Sequence, residues 1–285
     1  MQKKHSIFKT IFTLPIIIYT FTLILLPLLY ILFLSFTKSD SYGGIIYELT
    51  FQNYINIFDL TYLRMIFKSS LLAIIATFIC ILISYPFALI LRTKSSSIKN
   101  LSTKLIMVPF LTNSLIRTYG WIILLRKNGI INTLLINGGI ISGPLSLMYN
   151  KFGIVVGMVY TLLPFMLLPI CSSVFELDNN IIEAARDLGA SPMQIFWKII
   201  LPQTASGVFN GSLMVFMPAI GYFFIADILG GGKTMIVGNL IKNQFLTARN
   251  WPFGSAISIF LIFVTLYLVK LYKKLGGKMD DLGGF

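Results

Sequence analysis

Apolar runs long enough to cross a bilayer alternate with short polar stretches along the whole chain. A crossing helix needs about 20 apolar residues. Runs of that kind fall at about residues 11–36, 66–91, 105–125, 152–175, 203–229 and 253–270. Six spans place both termini on one side of a membrane. The first run holds Pro15 and Pro27, which membrane helices tolerate. Lys3, Lys4 and Lys9 before it resemble the charged start of a signal peptide. The run is too long for the apolar part of such a peptide and lacks a clean small-residue cleavage site, so a retained span is expected. The third run, with Pro109, Asn113 and Arg117, is the least apolar. Residues 37–65 are polar and turn-rich, 126–151 are rich in Gly and Asn, and Gly230, Gly231 and Gly232 follow the fifth run. No internal repeat and no separate soluble domain stand out, so residues 1–285 are expected to form a single all-α, polytopic membrane domain.

The longest polar-bearing segment between two strong apolar runs is Asn180 to Pro202, within a loop expected over residues 176–203. Asn180 followed three residues later by Glu183 fits a capping box, in which two orphan N–H groups are satisfied reciprocally. Gly189 suits the left-handed position that closes a short helix. Ser191 restarts the count as an N-cap, with Pro192 first in the next helix and Gln194 third. Pro202 forces a bend or a new start. The segment therefore predicts helix, sharp turn, helix at a membrane surface.

Composition narrows the function. A mean hydropathy of +0.84, with 56% hydrophobic and only 12% charged residues, excludes a soluble globular enzyme. Cys80 and Cys171 both fall in apolar runs, so no disulfide framework is indicated, and His5 alone cannot build a histidine metal site. The net charge of +13 could suggest nucleic acid. The Lys and Arg residues flank apolar runs instead of forming a stripe with interleaved aromatics, which points to a membrane surface and away from nucleic acid. Tight basic clusters (Lys3, Lys4 and Lys9; Arg92, Lys94 and Lys99; Lys270, Lys273, Lys274 and Lys278) favour a cytoplasmic side for both termini. Gly232, Lys233 and Thr234 end like a phosphate loop, but Asp227 stands where its first glycine belongs. No ATP or metal site is expected in this chain.

With Glu183, Ala184 and Ala185, then Gly189, then Ile199, Leu201 and Pro202, the polar loop resembles the EAA loop of permease subunits of ABC-type importers. The signature's spacing is matched without departure. Four further blocks look like the first permease subunit of spermidine/putrescine importers: Val108 to Trp121, Tyr160 to Ile170, Phe216 to Gly231 and Asn250 to Ala256. The resemblance implies a type I ABC importer permease fold in a bacterial inner membrane, with no catalytic residues of its own. It implies a coupling helix that docks on a separate ATPase, where Ala184 and Ala185 permit close approach and Glu183, Arg186 and Asp187 supply polar specificity. It further implies a related second permease, two ATPase subunits that hold ATP and Mg, and an extracytoplasmic polyamine-binding protein. Other importers of this branch move different cationic or phosphonate solutes. An ion-coupled secondary carrier is the rival class. It would need several buried carboxylates or an inverted repeat, and neither is found.

An ionisable residue in a span is a functional candidate by default, because burying it in lipid is costly. Arg117 and Asp227 are the two such residues, and Asp227 is the one carboxylate expected on a span. A polyamine is a chain of ammonium groups. On a helix, Phe223 and Phe224 share the face of Asp227, their rings attract desolvated cations, and Tyr222 adds a polar edge. The alternative is an interfacial Asp227 paired with Arg117 or Lys233. Asn113, Tyr119 and Trp121 form a second polar-aromatic group on the third span, and Pro218 and Gly221 loosen the fifth.

Overall fold

The computed structural model describes residues 13–40 and 43–274. Lys3, Lys4, His5, Lys9 and Lys278, on which part of the charge argument rests, lie outside the described residues. Helix α1 (Thr13–Leu34) leads to a two-stranded antiparallel hairpin, β1 (Lys38–Ser39) and β2 (Ile45–Ile46). Next come α2 (Gln52–Ile57), α3 (Leu60–Arg92) and α4 (Ser96–Met107). After a 3-10 turn at Val108–Leu111 come α5 (Ser114–Leu125), α6 (Ile130–Asn137) and α7 (Lys151–Phe175). Then follow α8 (Asn179–Asp187), α9 (Pro192–Gln203), α10 (Ala205–Gly221) and α11 (Phe223–Gly230). The last two are α12 (Val237–Leu246) and α13 (Trp251–Lys274).

Among the described residues, four helices are each long and apolar enough to cross a membrane: α1, α3, α7 and α13. The bent pair α9–α10, at 63°, makes a fifth candidate. The expected third and fifth spans are not continuous helices. Pro109 cannot donate a backbone hydrogen bond, and the chain turns there until Asn113 starts α5 by accepting from Leu115 N–H. The fifth breaks at Tyr222 (φ −76°, ψ 57°), just after Pro218 and Gly221. The stretch between the fifth and sixth apolar runs, which opens with Gly230, Gly231 and Gly232, holds α12, and residues 236–240 within it are buried.

The chain divides into two compact units. One comprises the residues up to Leu63 with Leu240–Val264. In it, buried Asn53 donates to the carbonyls of Ser35 and Thr37, satisfying the open end of α1. Lys38 and Glu48 pair across the hairpin at 2.7 Å, and the lysine's hydrogen bond and charge hold Glu48's carboxyl below its ordinary value. The second unit comprises Arg64–Asn239 and the chain from Thr265 onwards. Its core is a stripe on α7, namely Ile154, Met158, Leu162, Met166 and Ile170. Four-residue spacing lines these side chains along one face. Val215 and Ala219 of α10, and Ile225, Ala226 and Leu229 of α11, belong to the same cluster. From α3 come Ala73, Ala76, Cys80 and Ala88, whose small side chains let helices approach closely where lipid gives no hydrophobic drive.

Candidate functional site

The loop between α7 and α10 is shaped by local caps, a small internal core and two attachments to α3. Helix α8 starts two residues earlier than the sequence suggests. Asp178, in extended conformation, accepts from Asn180 N–H at 2.9 Å, so the capping box expected at Asn180 and Glu183 is replaced by an Asp178 cap. At the other end Ala190 N–H donates to Ala185 O and Gly189 N–H to Arg186 O. That pair of bonds is a Schellman closure, and it requires Gly189 in the left-handed region, where φ is +80°. Ser191 and Gln194 then form the expected capping box, with Pro192 leading α9. Helix α9 widens into a π turn at Phe196–Ile200 and ends at Gln203, and Thr204 makes the bend that Pro202 forecasts.

Two faces result. Ile182, Ala185 and Ile195, with Ala190, Ile199 and Ile200 beside them, form a small core inside the loop. Ala185 and Ile199 are therefore turned inward, and of the two alanines only Ala184 is open to a partner. Leu201 packs partly against the main core, while Pro202 is exposed. Glu183, Arg186 and Asp187 are exposed as expected. Beside them stand three apolar side chains that the sequence reading passed over: Leu188 at 88% exposure, Met193 at 66% and Trp197 at 59%. The available signal was their apolar character in an otherwise polar loop. Two attachments fix the loop to α3. Arg92 donates to Leu177 O and to the Asn179 side chain, and Tyr85 bonds the buried Thr204 hydroxyl at 2.6 Å with its ring edge-on to Phe196.

The second candidate lies at the break between α10 and α11. Asp227 is half-buried, and its Oδ1 accepts from Asn239 Nδ2 at 2.6 Å. The same amide donates to Phe223 O at 3.2 Å. Phe224 sits between two rings, 4.8 Å from Tyr222 and 6.3 Å from Phe223. Helix α11 also packs on α5. There Trp121 meets Tyr160 edge-on at 5.3 Å, and the Arg117 guanidinium lies 5.8 Å from the same ring. Asn113 serves as the α5 cap and Tyr119 is exposed, so the structure groups Trp121 with Arg117 and Tyr160, apart from Asn113 and Tyr119. Asn239 and α12 were missed because they fall in what reads as a loop. Among the described residues, no group of three His, Cys, Asp or Glu side chains could hold a metal ion.

Several long apolar helices joined by a doubly capped polar loop are the architecture of a multi-pass membrane protein. The profile of binding-protein-dependent transport system inner membrane components matches residues 84–275, and the chain belongs to this family. It is 44% identical over 249 residues to the spermidine/putrescine transport system permease protein PotB of Haemophilus influenzae, covering 87% of each chain. It is 39% identical to the protein of the same name from Salmonella typhimurium, covering 99% of each. Its fold is shared with a chain in the crystal structure of a bacterial alginate ABC transporter in complex with an alginate pentasaccharide-bound periplasmic protein. There the TM-score is 0.74 at 15% identity, over 94% of this chain and 93% of that one.

Proposed function

We propose that this chain forms half of the translocation pathway of an ATP-driven polyamine importer, moving spermidine or putrescine inward. A second related permease completes the pathway, two copies of an ATPase bind ATP and Mg, and an extracytoplasmic binding protein delivers the solute. The supporting observation is the α8–α9 loop, a doubly capped turn that exposes Leu188, Met193 and Trp197 as well as Glu183, Arg186 and Asp187. Such a surface suits a partner that docks and pulls. The names of the relatives supply the solute class. In this reading the chain crosses the inner membrane six times, with the interrupted α4–α5 as the third crossing and α10–α11 as the fifth. Both termini and the α8–α9 loop face the cytoplasm, and α12 faces outward.

Asp227, with Phe223 and Phe224, is the cation-facing group of the pathway in this chain. A polyamine leaving water loses hydration worth several kcal/mol per charge, and a half-buried carboxylate beside aromatic rings offsets part of that loss. A membrane potential negative inside adds about 2.3 kcal/mol per charge per 100 mV, so a deep acidic well is unnecessary. The test is uptake of labelled spermidine and putrescine in cells that depend on this importer, at matched membrane abundance. Asp227→Asn should lower uptake about tenfold or more, and Asp227→Glu should be milder. Wild-type uptake with Asn at 227 would remove Asp227 from the pathway. Spermidine and putrescine uptake that persists when the whole chain is deleted would remove the importer reading.

A further inference from the structure

Asp227 is oriented from outside its own helix. Asn239 is buried at 4% exposure, and all three of its hydrogen bonds fit one orientation of the amide. Its Oδ1 accepts from Ile236 N–H at 3.1 Å, which leaves Nδ2 to donate to Asp227 Oδ1 and to Phe223 O. Reversing the amide would set its oxygen against a carboxylate and a carbonyl, and its N–H against another N–H. The segment bearing it is itself pinned. Val237 N–H donates to Ser69 Oγ at 2.9 Å, and Ser69 is buried at 1% exposure on α3. Gly238 lies so close to Gly221 that an added Cβ would stand 2.3 Å from its carbonyl oxygen. One bond that orients the carboxylate thus comes from α12, which α3 holds in place, while Phe223 and Phe224 precede Asp227 by one helical turn on α11.

We propose that Asn239 is the positioning residue of the cation pathway. It holds the Asp227 carboxylate in one orientation beside Phe223 and Phe224, so that an ammonium group must approach along a fixed line. This rests on the reading that Asp227 meets the solute. A neutral amide suits the task, since it orients the carboxylate by a charge-assisted bond without adding a competing cation. Fixed geometry at one end of a flexible diamine or triamine selects by the spacing of the next ammonium group.

The experiment compares spermidine and putrescine uptake by the complete importer at matched membrane abundance in four variants: Asp227→Asn, Asn239→Leu, Asn239→Asp and the double swap Asp227→Asn with Asn239→Asp. Leucine is close to asparagine in shape and donates nothing. Asn239→Leu should lower uptake about tenfold, as expected for loss of a bond to a charged group, and should shift the ratio of the two solutes. Asn239→Asp, which opposes two carboxylates, should lower uptake further. The swap restores a carboxylate–amide pair and should recover uptake to within about threefold of wild type. Normal uptake and an unchanged solute ratio in Asn239→Leu, beside an impaired Asp227→Asn, would overturn the positioning role alone. A swap no better than its single variants would also overturn it, since a purely structural amide predicts that result. Wild-type uptake by Asp227→Asn would instead remove the solute reading on which the proposal rests.

Discussion

In the α8–α9 loop the contacts that form the caps and the turn all close within five residues, although Arg92 and Tyr85 tether its two ends to α3 from far along the chain. Asp178 meets Asn180, Gly189 meets Arg186, Ala190 meets Ala185, and Ser191 meets Gln194. Around Asp227 the corresponding contacts join residues 12 apart to Asn239, 16 apart from Phe223 to Asn239, and 168 apart from Ser69 to Val237. The two regions also use glycine for different reasons. Gly189 is needed for its backbone angle, with open space around it, while Gly238 is needed because another backbone passes beside it. The exposed turn, proposed as the docking surface, takes its shape from bonds between near neighbours. A site inside a helix bundle takes its geometry from elements brought together by the whole fold.

One methyl group added at each glycine should separate the two regions most clearly. Gly238→Ala should cause the largest loss, about 3 kcal/mol, because the new carbon meets a fixed carbonyl and no flexible side chain can yield. Thermal unfolding of the purified importer would report it, and an unchanged midpoint would mean that α12 does not press on Gly221. Gly189→Ala should cost less, about 1–2 kcal/mol, all of it from the left-handed backbone. Asparagine there should recover most of that loss. Gly189→Val should leave the protein in the membrane while uncoupling ATP hydrolysis from uptake. Full transport by the valine variant at normal abundance would dismiss the turn as a coupling element.

The smallest expected effect lies outside both regions, at the start of α3. Asp59 accepts from Thr61 N–H at 2.8 Å, and hydrogen bonds from Thr61 hold its carboxyl below the ordinary value of 3.8. A depressed folded value means that the stabilisation is fully present above the ordinary value. It is lost as pH falls through the lower, folded one. Hydrogen exchange in the first turn of α3 should therefore speed up in Asp59→Ala at neutral pH, with little change in uptake. Equal exchange in variant and wild type would show that the cap contributes nothing.

The same division of near and far contacts decides what could be read from residues alone. Gly189, the Ser191–Gln194 box and the bend after Pro202 were legible, because each depends on neighbours a few positions away. The α8 start was misplaced because Asn180 and Asp178 are both good caps, and only the backbone shows which one leaves the helix. Ala184 and Ala185 read alike, yet the Schellman closure turns one outward and the other against Ala190. Hydropathy measures how apolar a run is and ignores whether its helix is continuous, so it concealed the interruption at Val108–Leu111, while Pro218 and Gly221 had marked the fifth run as loosened just before its break at Tyr222. Asn239 could not be paired with Asp227 from spacing, since the fold of α12 against Gly221 creates that contact.

The bond between Ser69 and Val237 also sets an order of events during synthesis. Ribosomes add about 5–20 residues per second, so Ser69 waits roughly 10–30 seconds for a partner 168 residues behind it. By then the chain through Gln203 has been made, together with every short-range bond of the α8–α9 turn. The turn proposed to dock on a partner is thus complete before the break between α10 and α11 can be latched. A chain cut short after α10 would carry a finished α8–α9 turn without α11 and α12, and, if that turn docks as proposed, such a fragment should compete with the intact subunit during assembly.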